Sequence, residues 1–244
     1  MIDGNDNKYK KPVVVEAVFE LRFKPLPNWE IGSFVRFAEL AKENGFPILR
    51  DSPQQFQVTF APNHEPIINQ GASHIQTWNN EETKLWQVGQ VLYAANQREP
   101  YAGWEDFRPH ILKGLELFKQ VANPQTAEVL AMRYINRINL TKSEKPDSLL
   151  VFLPSGIEFA ENISDYGCKA EYKFEGDEKV VITSAKDSSQ TNENSLILEI
   201  LYFKPKPSLD IDSLSEVVET IHSRIVERFE KSITEELRKR MEVI

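Results

Sequence analysis

The sequence predicts an α+β fold: largely antiparallel sheets packed against helices, in two similar halves, with a long C-terminal helix. Three observations carry this. Period-two alternation recurs along the chain. The element order, β-α-β-β-β-β-α-β and then β-β-β-β-α, lacks the βαβ rhythm and glycine-rich turns of a doubly wound parallel sheet. The C-terminal stretch repeats apolar residues every three or four positions.

"PVVVEAVFELRF" (Pro12 to Phe23) alternates. Val13, Val15, Ala17, Phe19, Leu21 and Phe23 share one face; Val14, Glu16, Val18, Glu20 and Arg22 share the other. "WEIGSFVRFAELAKENG" follows as a helix with Ile31, Phe34, Val35, Ala38 and Ala41 on its stripe and Gly45 as its stop. "QFQVTF", "SHIQTW" and "KLWQVGQVLYAANQ" are strands, the last breaking at Gly89–Gln90. In "YAGWEDFRPHILKGLELFKQV", Pro109 lacks an N–H, so a short turn at Gly103 to Phe107 and a main helix from about Pro109 are expected. "EVLAMRYINRINL" closes this half as a strand.

The polar loop "TKSEKPDS" divides the chain into an N-terminal half, residues 1–141, and a C-terminal half, residues 148–244. The second half reads as a strand "LLVFLPSGIEF", a hairpin "KAEYKFEGDEKVVITSAK" turning at Glu175 to Glu178, a polar loop "DSSQTNEN" and a strand "SLILEILYF". Its last element opens with Ser213-x-x-Glu216 as a capping box. About 32 helical residues would span roughly 48 Å. That helix either breaks near Lys231–Ser232 or projects, with Phe229, Ile233, Leu237 and Met241 as oligomer contacts.

Composition bounds the function. The 244 residues are 41% hydrophobic and 27% charged, which suits a globular core. A net charge of -8 argues against general nucleic-acid binding. One cysteine, Cys168, excludes an internal disulfide and a multi-cysteine zinc site. The polar start "MIDGNDNKYKK" has no apolar core of a signal peptide, and no stretch reaches the roughly 20 apolar residues of a membrane span. A cytoplasmic protein without a cofactor or metal is expected. His64, His74, His110 and His222 lie at no metal-ligand spacing and read as packing or surface residues. Ten scattered glycines form no phosphate loop, and no nucleophile elbow or zinc-protease motif occurs, so no catalytic residue is assigned.

Two features remain. Trp78, Trp86, Tyr93, Tyr101 and Trp104, with Arg98 and Arg108, either fill a sheet–helix interface or form a stacking surface. In "AMRYINRINL" (Ala131 to Leu140), Met132, Tyr134, Asn136, Ile138 and Leu140 face one way, and Arg133, Ile135, Arg137 and Asn139 the other. Two guanidinium forks about 13–14 Å apart can hold an anion or pair with carboxylates, Glu16 and Glu20 being the expected partners. Asn136, on the apolar face, needs a hydrogen-bond partner.

"KPVVVEAVFELRF", "PYAGWEDFRPHI", "MRYINRINL" and "IHSRIVERFEKSITEELRKRM" occur in that order. Together they resemble a sporadically distributed, uncharacterised family of prokaryotic proteins. Its pattern is a Pro-Pro-Val/Ile-x-Glu-Ala start, a Tyr-x-x-Trp-x-x-Phe segment and a Leu-Arg-Tyr-Ile-Asn-Arg-Ile core. Here Lys11-Pro12 replaces the double proline and Ala131-Met132 precedes Arg133. The resemblance spans nearly the whole chain but implies no activity; the scattered occurrence is that of accessory genes, phage defence among them.

The expectation is a non-enzymatic binding or assembly protein, an accessory component of a prokaryotic defence or toxin-control system, with a protein partner or itself as a dimer. Two alternatives stand beside it. One is a nucleotide or other anion sensor or enzyme with a site between the halves, lined by Tyr101, Trp104, Arg133, Asn136 and Arg137. The other is a chaperone-like module that captures extended peptide.

Overall fold

Alternating apolar residues in nine segments build one continuous sheet, entirely antiparallel, in a computed structural model that describes residues 9–52, 56–59, 67–70, 74–141, 144–154, 165–187 and 194–243. Its strands are β1 (Val14–Arg22), β2 (Ile48–Ser52), β5 (His74–Trp78), β6 (Lys84–Gly89), β7 (Leu92–Arg98), β8 (Val129–Asn139), β9 (Gly167–Lys173), β10 (Lys179–Lys186) and β11 (Ser195–Pro205). They run in the order β2-β5-β6-β7-β1-β8-β11-β10-β9. A separate hairpin joins β3 (Phe56–Thr59) to β4 (Ile67–Gln70). Strands β2 and β4 are additions to the sequence reading. His64, residues 1–8 and 188–193, and the end of the expected strand at 155–159 lie outside the described residues.

Among the described residues, five α-helices accompany the sheet: α1 (Ile31–Glu43), α2 (Trp104–Ala122), α3 (Pro146–Leu149), α4 (Ile211–Ser232) and α5 (Glu235–Met241). Among the described residues, no helix is long and apolar enough to cross a membrane. The loop at 141–148 separates the sequence halves, yet the sheet runs through that boundary: β8 pairs with β1 on one side and β11 on the other.

The core forms where the helices meet the sheet. Phe19 and Leu21 of β1, Trp86 and Tyr93 of the β6–β7 hairpin, Met132 of β8 and Ile200 and Tyr202 of β11 are all buried there. The alternation in β1 holds from Ala17 onward. Before it, the register shifts between Val14 and Glu16, and a bulge places Val14 opposite Asn136, so Val14 rather than Val15 joins the helix-side face.

Pro109 does not break α2. It sits within the helix, which starts at Trp104 behind Gly103 and runs on to Ala122. The proline removes one backbone donor close to the helix start, where the packing of Phe107 and Ile111 against the sheet outweighs the loss. Helix α4 likewise begins earlier than its sequence signature: Asp210 is the cap and accepts from the Ser213 amide at 3.0 Å. Ser213 therefore lies inside the first turn, where it cannot open a capping box.

The long helix ends at Ser232. Its carbonyl accepts the amides of Val151 (2.8 Å) and Phe152 (3.3 Å) in place of helical donors. Thr234 then caps α5 through the Leu237 amide. The segment expected as a strand, "LLVFL", is instead this staple: α3 leads into Leu150, which bridges to Ile233. Ile233, Leu237 and Met241 are 2%, 0% and 1% exposed. They belong to the chain's own core, which corrects their reading as oligomer contacts. The helix break turns α5 back onto the fold.

Candidate functional site

Between the N-terminal end of α2 and the middle of α4, over β1, β8 and β11, lies a cleft of about 440 Å³. Pro12 to Val14 and Tyr9 close one side; Tyr101 to Glu105 form another; Tyr134, Asn136 and Ile200 form the floor; His222, Ile225, Val226 and Phe229 line the α4 wall.

Three neutral polar side chains link across it. The Tyr101 and Tyr134 hydroxyls are 3.2 Å apart, and the Tyr134 hydroxyl is 3.1 Å from His222 Nδ1. The sequence pattern explains their meeting. Tyr134 occupies an inward position of β8, His222 stands beside Ile221 on the buried stripe of α4, and Tyr101 precedes the first turn of α2. Burial raises the Tyr101 and Tyr134 hydroxyls well above the usual tyrosine range. Burial also pushes His222 down to about 4. The chain of three is therefore uncharged at neutral pH. His222 Nε2 makes no hydrogen bond among the described residues.

Trp104 stacks flat on His222, centroids 4.0 Å apart and planes 7° from parallel. Its Nε1 donates to both Glu219 oxygens, at 3.1 and 3.0 Å. Arg108, one turn on, reaches Glu219 at 3.3 Å and donates to Ser215. Glu219 thus ties α2 to α4 and fixes the indole. Phe107 packs edge-on against Tyr101, Trp104 and Tyr134. Tyr9 donates to Glu230 at 2.6 Å, and Arg238 donates to the other oxygen of the same carboxylate at 2.8 Å.

The five ligand-binding candidates divide. Tyr101, Trp104 and Asn136 come together at the cleft. Asn136 is 2% exposed and donates to the Leu198 carbonyl at 2.9 Å, its required partner. Arg133 and Arg137 alternate to the opposite face of β8, so the sheet separates their side chains from this site. Their partners are not Glu16 or Glu20. Arg137 pairs with Asp187 at 2.9 Å, a carboxylate only 4% exposed, and Arg133 stands 4.0 Å from Glu199. Glu16 instead ends a row of amides crossing four strands: Gln76 donates to Gln87 (3.1 Å), Gln87 to Asn96 (2.9 Å) and Asn96 to Glu16 (2.7 Å).

The aromatic run also splits. Trp86 and Tyr93 are core: Trp86 Nε1 donates to the His110 carbonyl and the Tyr93 hydroxyl to the Ile111 carbonyl. Trp78 lies beneath Arg50 and Arg98. His110 packs beside the stacked pair Phe46–Trp86, 5.3 and 5.1 Å from their centroids, as a packing histidine should. His222 is the residue the sequence reading missed. Its only signal is a polar ring beside the apolar stripe of α4, and that signal does not show what faces it. Among the described residues, no three His, Cys, Asp or Glu side chains are grouped as metal ligands.

No family model matches the chain, and none of the curated proteins matches it.

Proposed function

We propose that the chain is a non-enzymatic binding protein whose cleft holds a small, neutral, ring-bearing ligand. One observation carries this: all four stretches that bear the family resemblance contribute to that cleft, through Pro12 to Val14, Tyr101 to Glu105, Tyr134 and Asn136, and His222 to Phe229. Residues from both halves form its walls. The position of Arg133 and Arg137 favours a neutral ligand over a nucleotide phosphate, because both lie across the sheet from the cleft and Arg137 is held by Asp187. An apolar wall with a few fixed polar groups is the usual build of a small-molecule site. A cytoplasmic location and a role beside defence genes rest on composition and resemblance alone.

The test is a fragment screen of aromatic and aliphatic ring compounds by backbone and side-chain NMR shifts. Binding that perturbs Tyr101, Trp104, Tyr134 and His222, and weakens at least about tenfold in Trp104→Ala, supports the reading; tenfold corresponds to about 1.4 kcal/mol. Shifts mapping elsewhere, or indifference to Trp104→Ala, overturn it.

A further inference from the structure

The Tyr134 hydroxyl has one proton and two neighbours, Tyr101 Oη at 3.2 Å and His222 Nδ1 at 3.1 Å. Tyr134 as a residue is 5% exposed. A hydroxyl donates once and accepts through its lone pairs. If Tyr134 donates to His222 Nδ1, then Tyr101 must donate to Tyr134. Tyr101 then offers only lone pairs to the cleft, and the imidazole proton resides on Nε2. If Tyr134 donates to Tyr101, then His222 Nδ1 must carry the proton and donate to Tyr134. Tyr101 then has its own proton to give, and Nε2 is an acceptor. Both orders pair the Tyr134 hydroxyl on both sides and leave one proton for the cleft, at His222 Nε2 in the first and at Tyr101 in the second, so the two ends have opposite character.

The geometry points to a ligand class: a neutral heterocycle carrying one hydrogen-bond donor and one acceptor at separate positions, of the lactam or keto–amine kind, read by Tyr101 and His222 as a coupled pair. This deepens the binding reading above and rests on it. A ligand with two acceptors asks both ends to donate, which a neutral Tyr101–Tyr134–His222 chain cannot do. Leaving one buried polar group unpaired is what gives such sites their discrimination. The chain's length matters less than its parity: one intervening hydroxyl is enough to make the two ends opposite.

The experiment uses two flat six-membered rings of similar size. 4-Pyridone carries a donor and an acceptor at opposite ends; pyrazine carries two acceptors there. Each is titrated into the full chain at pH 7 and followed by NMR shifts of the cleft residues. The expected result is that 4-pyridone binds at least about tenfold more tightly than pyrazine, or about 1.4 kcal/mol. In Tyr134→Phe, which keeps the ring, Tyr101 and His222 choose their protons independently, so the preference should fall to within about threefold, or about 0.6 kcal/mol. A preference that survives Tyr134→Phe, or equal binding of the two probes to the unmodified chain, overturns the coupling and leaves the binding reading standing. Neither probe shifting the cleft residues overturns both.

Discussion

Substituting Gly114 by alanine places a methyl group where two side chains already are. Its Cβ would lie 2.2 Å from Trp86 Nε1, 2.4 Å from Trp86 Cδ1 and 2.5 Å from the Tyr93 hydroxyl. Neither ring can stay. Their retreat breaks two buried hydrogen bonds, from Trp86 to the His110 carbonyl at 3.1 Å and from Tyr93 to the Ile111 carbonyl at 2.7 Å. A buried donor left unsatisfied costs about 1–3 kcal/mol, and overpacking a core about 1–3 kcal/mol. Alanine's better helix propensity offsets about 1 kcal/mol. The net expectation is a loss of about 3 kcal/mol or more. At about 2–4 °C per kcal/mol for a chain of this size, Tm should fall by roughly 10 °C. Urea unfolding and a thermal melt measure it. Gly32→Ala is the control, because its nearest neighbour is the flexible Glu30 side chain at 3.4 Å and it should stay within about 1 kcal/mol of the parent. Gly114→Ala as stable as Gly32→Ala would refute the close approach of the two rings to α2.

The two arginines of β8 should differ. Arg137→Met takes the cation away from the buried Asp187, which keeps the Ser195 hydroxyl at 3.3 Å, and should cost about 3 kcal/mol, whereas Arg133→Met, beside an open Glu199, should cost under about 1 kcal/mol; equal losses in urea melts would contradict the pairing. Acid should weaken the fold before the carboxylates titrate. Burial holds His222 down to about 4 and His110 to about 3, while the unfolded chain protonates both near 6.5. The unfolded state therefore binds protons first as pH falls, and stability is lost from about pH 6.5 down to about pH 4, on the order of 3 kcal/mol from His222 alone. Urea midpoints at pH 7, 5.5 and 4.5 measure that slope; His222→Gln should roughly halve it, His110 supplying the rest, and an unchanged slope in that variant refutes the assignment.

What the sequence disclosed follows from what is local. The inward row of β1 from Ala17 and the faces of β8 are period-two patterns, and they were legible because one face is buried. So was the need of Asn136 for a partner. The partners themselves were not legible. Arg137 finds Asp187 across β11, and Glu16 finds Asn96, because strand order sets such pairs and strand order is not written in any one segment. The α4 break shows the same limit. Ile233, Leu237 and Met241 keep helical spacing, but three backbone bonds from residues 149–152 end the helix at Ser232 and reset its direction. Val14 was assigned to the wrong face because a bulge inserts one residue without changing the composition around it. At the cleft, Tyr101 and Trp104 stood out as members of a close-set aromatic run, while His222 was hidden by its apolar neighbours.

The continuity of the sheet has a consequence for synthesis. Strand β8 is held on one side by β1, which precedes it, and on the other by β11; Asn136 waits for Leu198, 62 residues further along the chain. During translation the first half therefore carries β8 as a bare edge, a row of open N–H and C=O groups flanked by Met132, Tyr134 and Ile138. Such an edge pairs with any strand that reaches it. A ribosome that stalls before β11 would release a chain prone to joining its own kind, and a fragment ending at the 141–148 loop would be expected to aggregate when expressed alone.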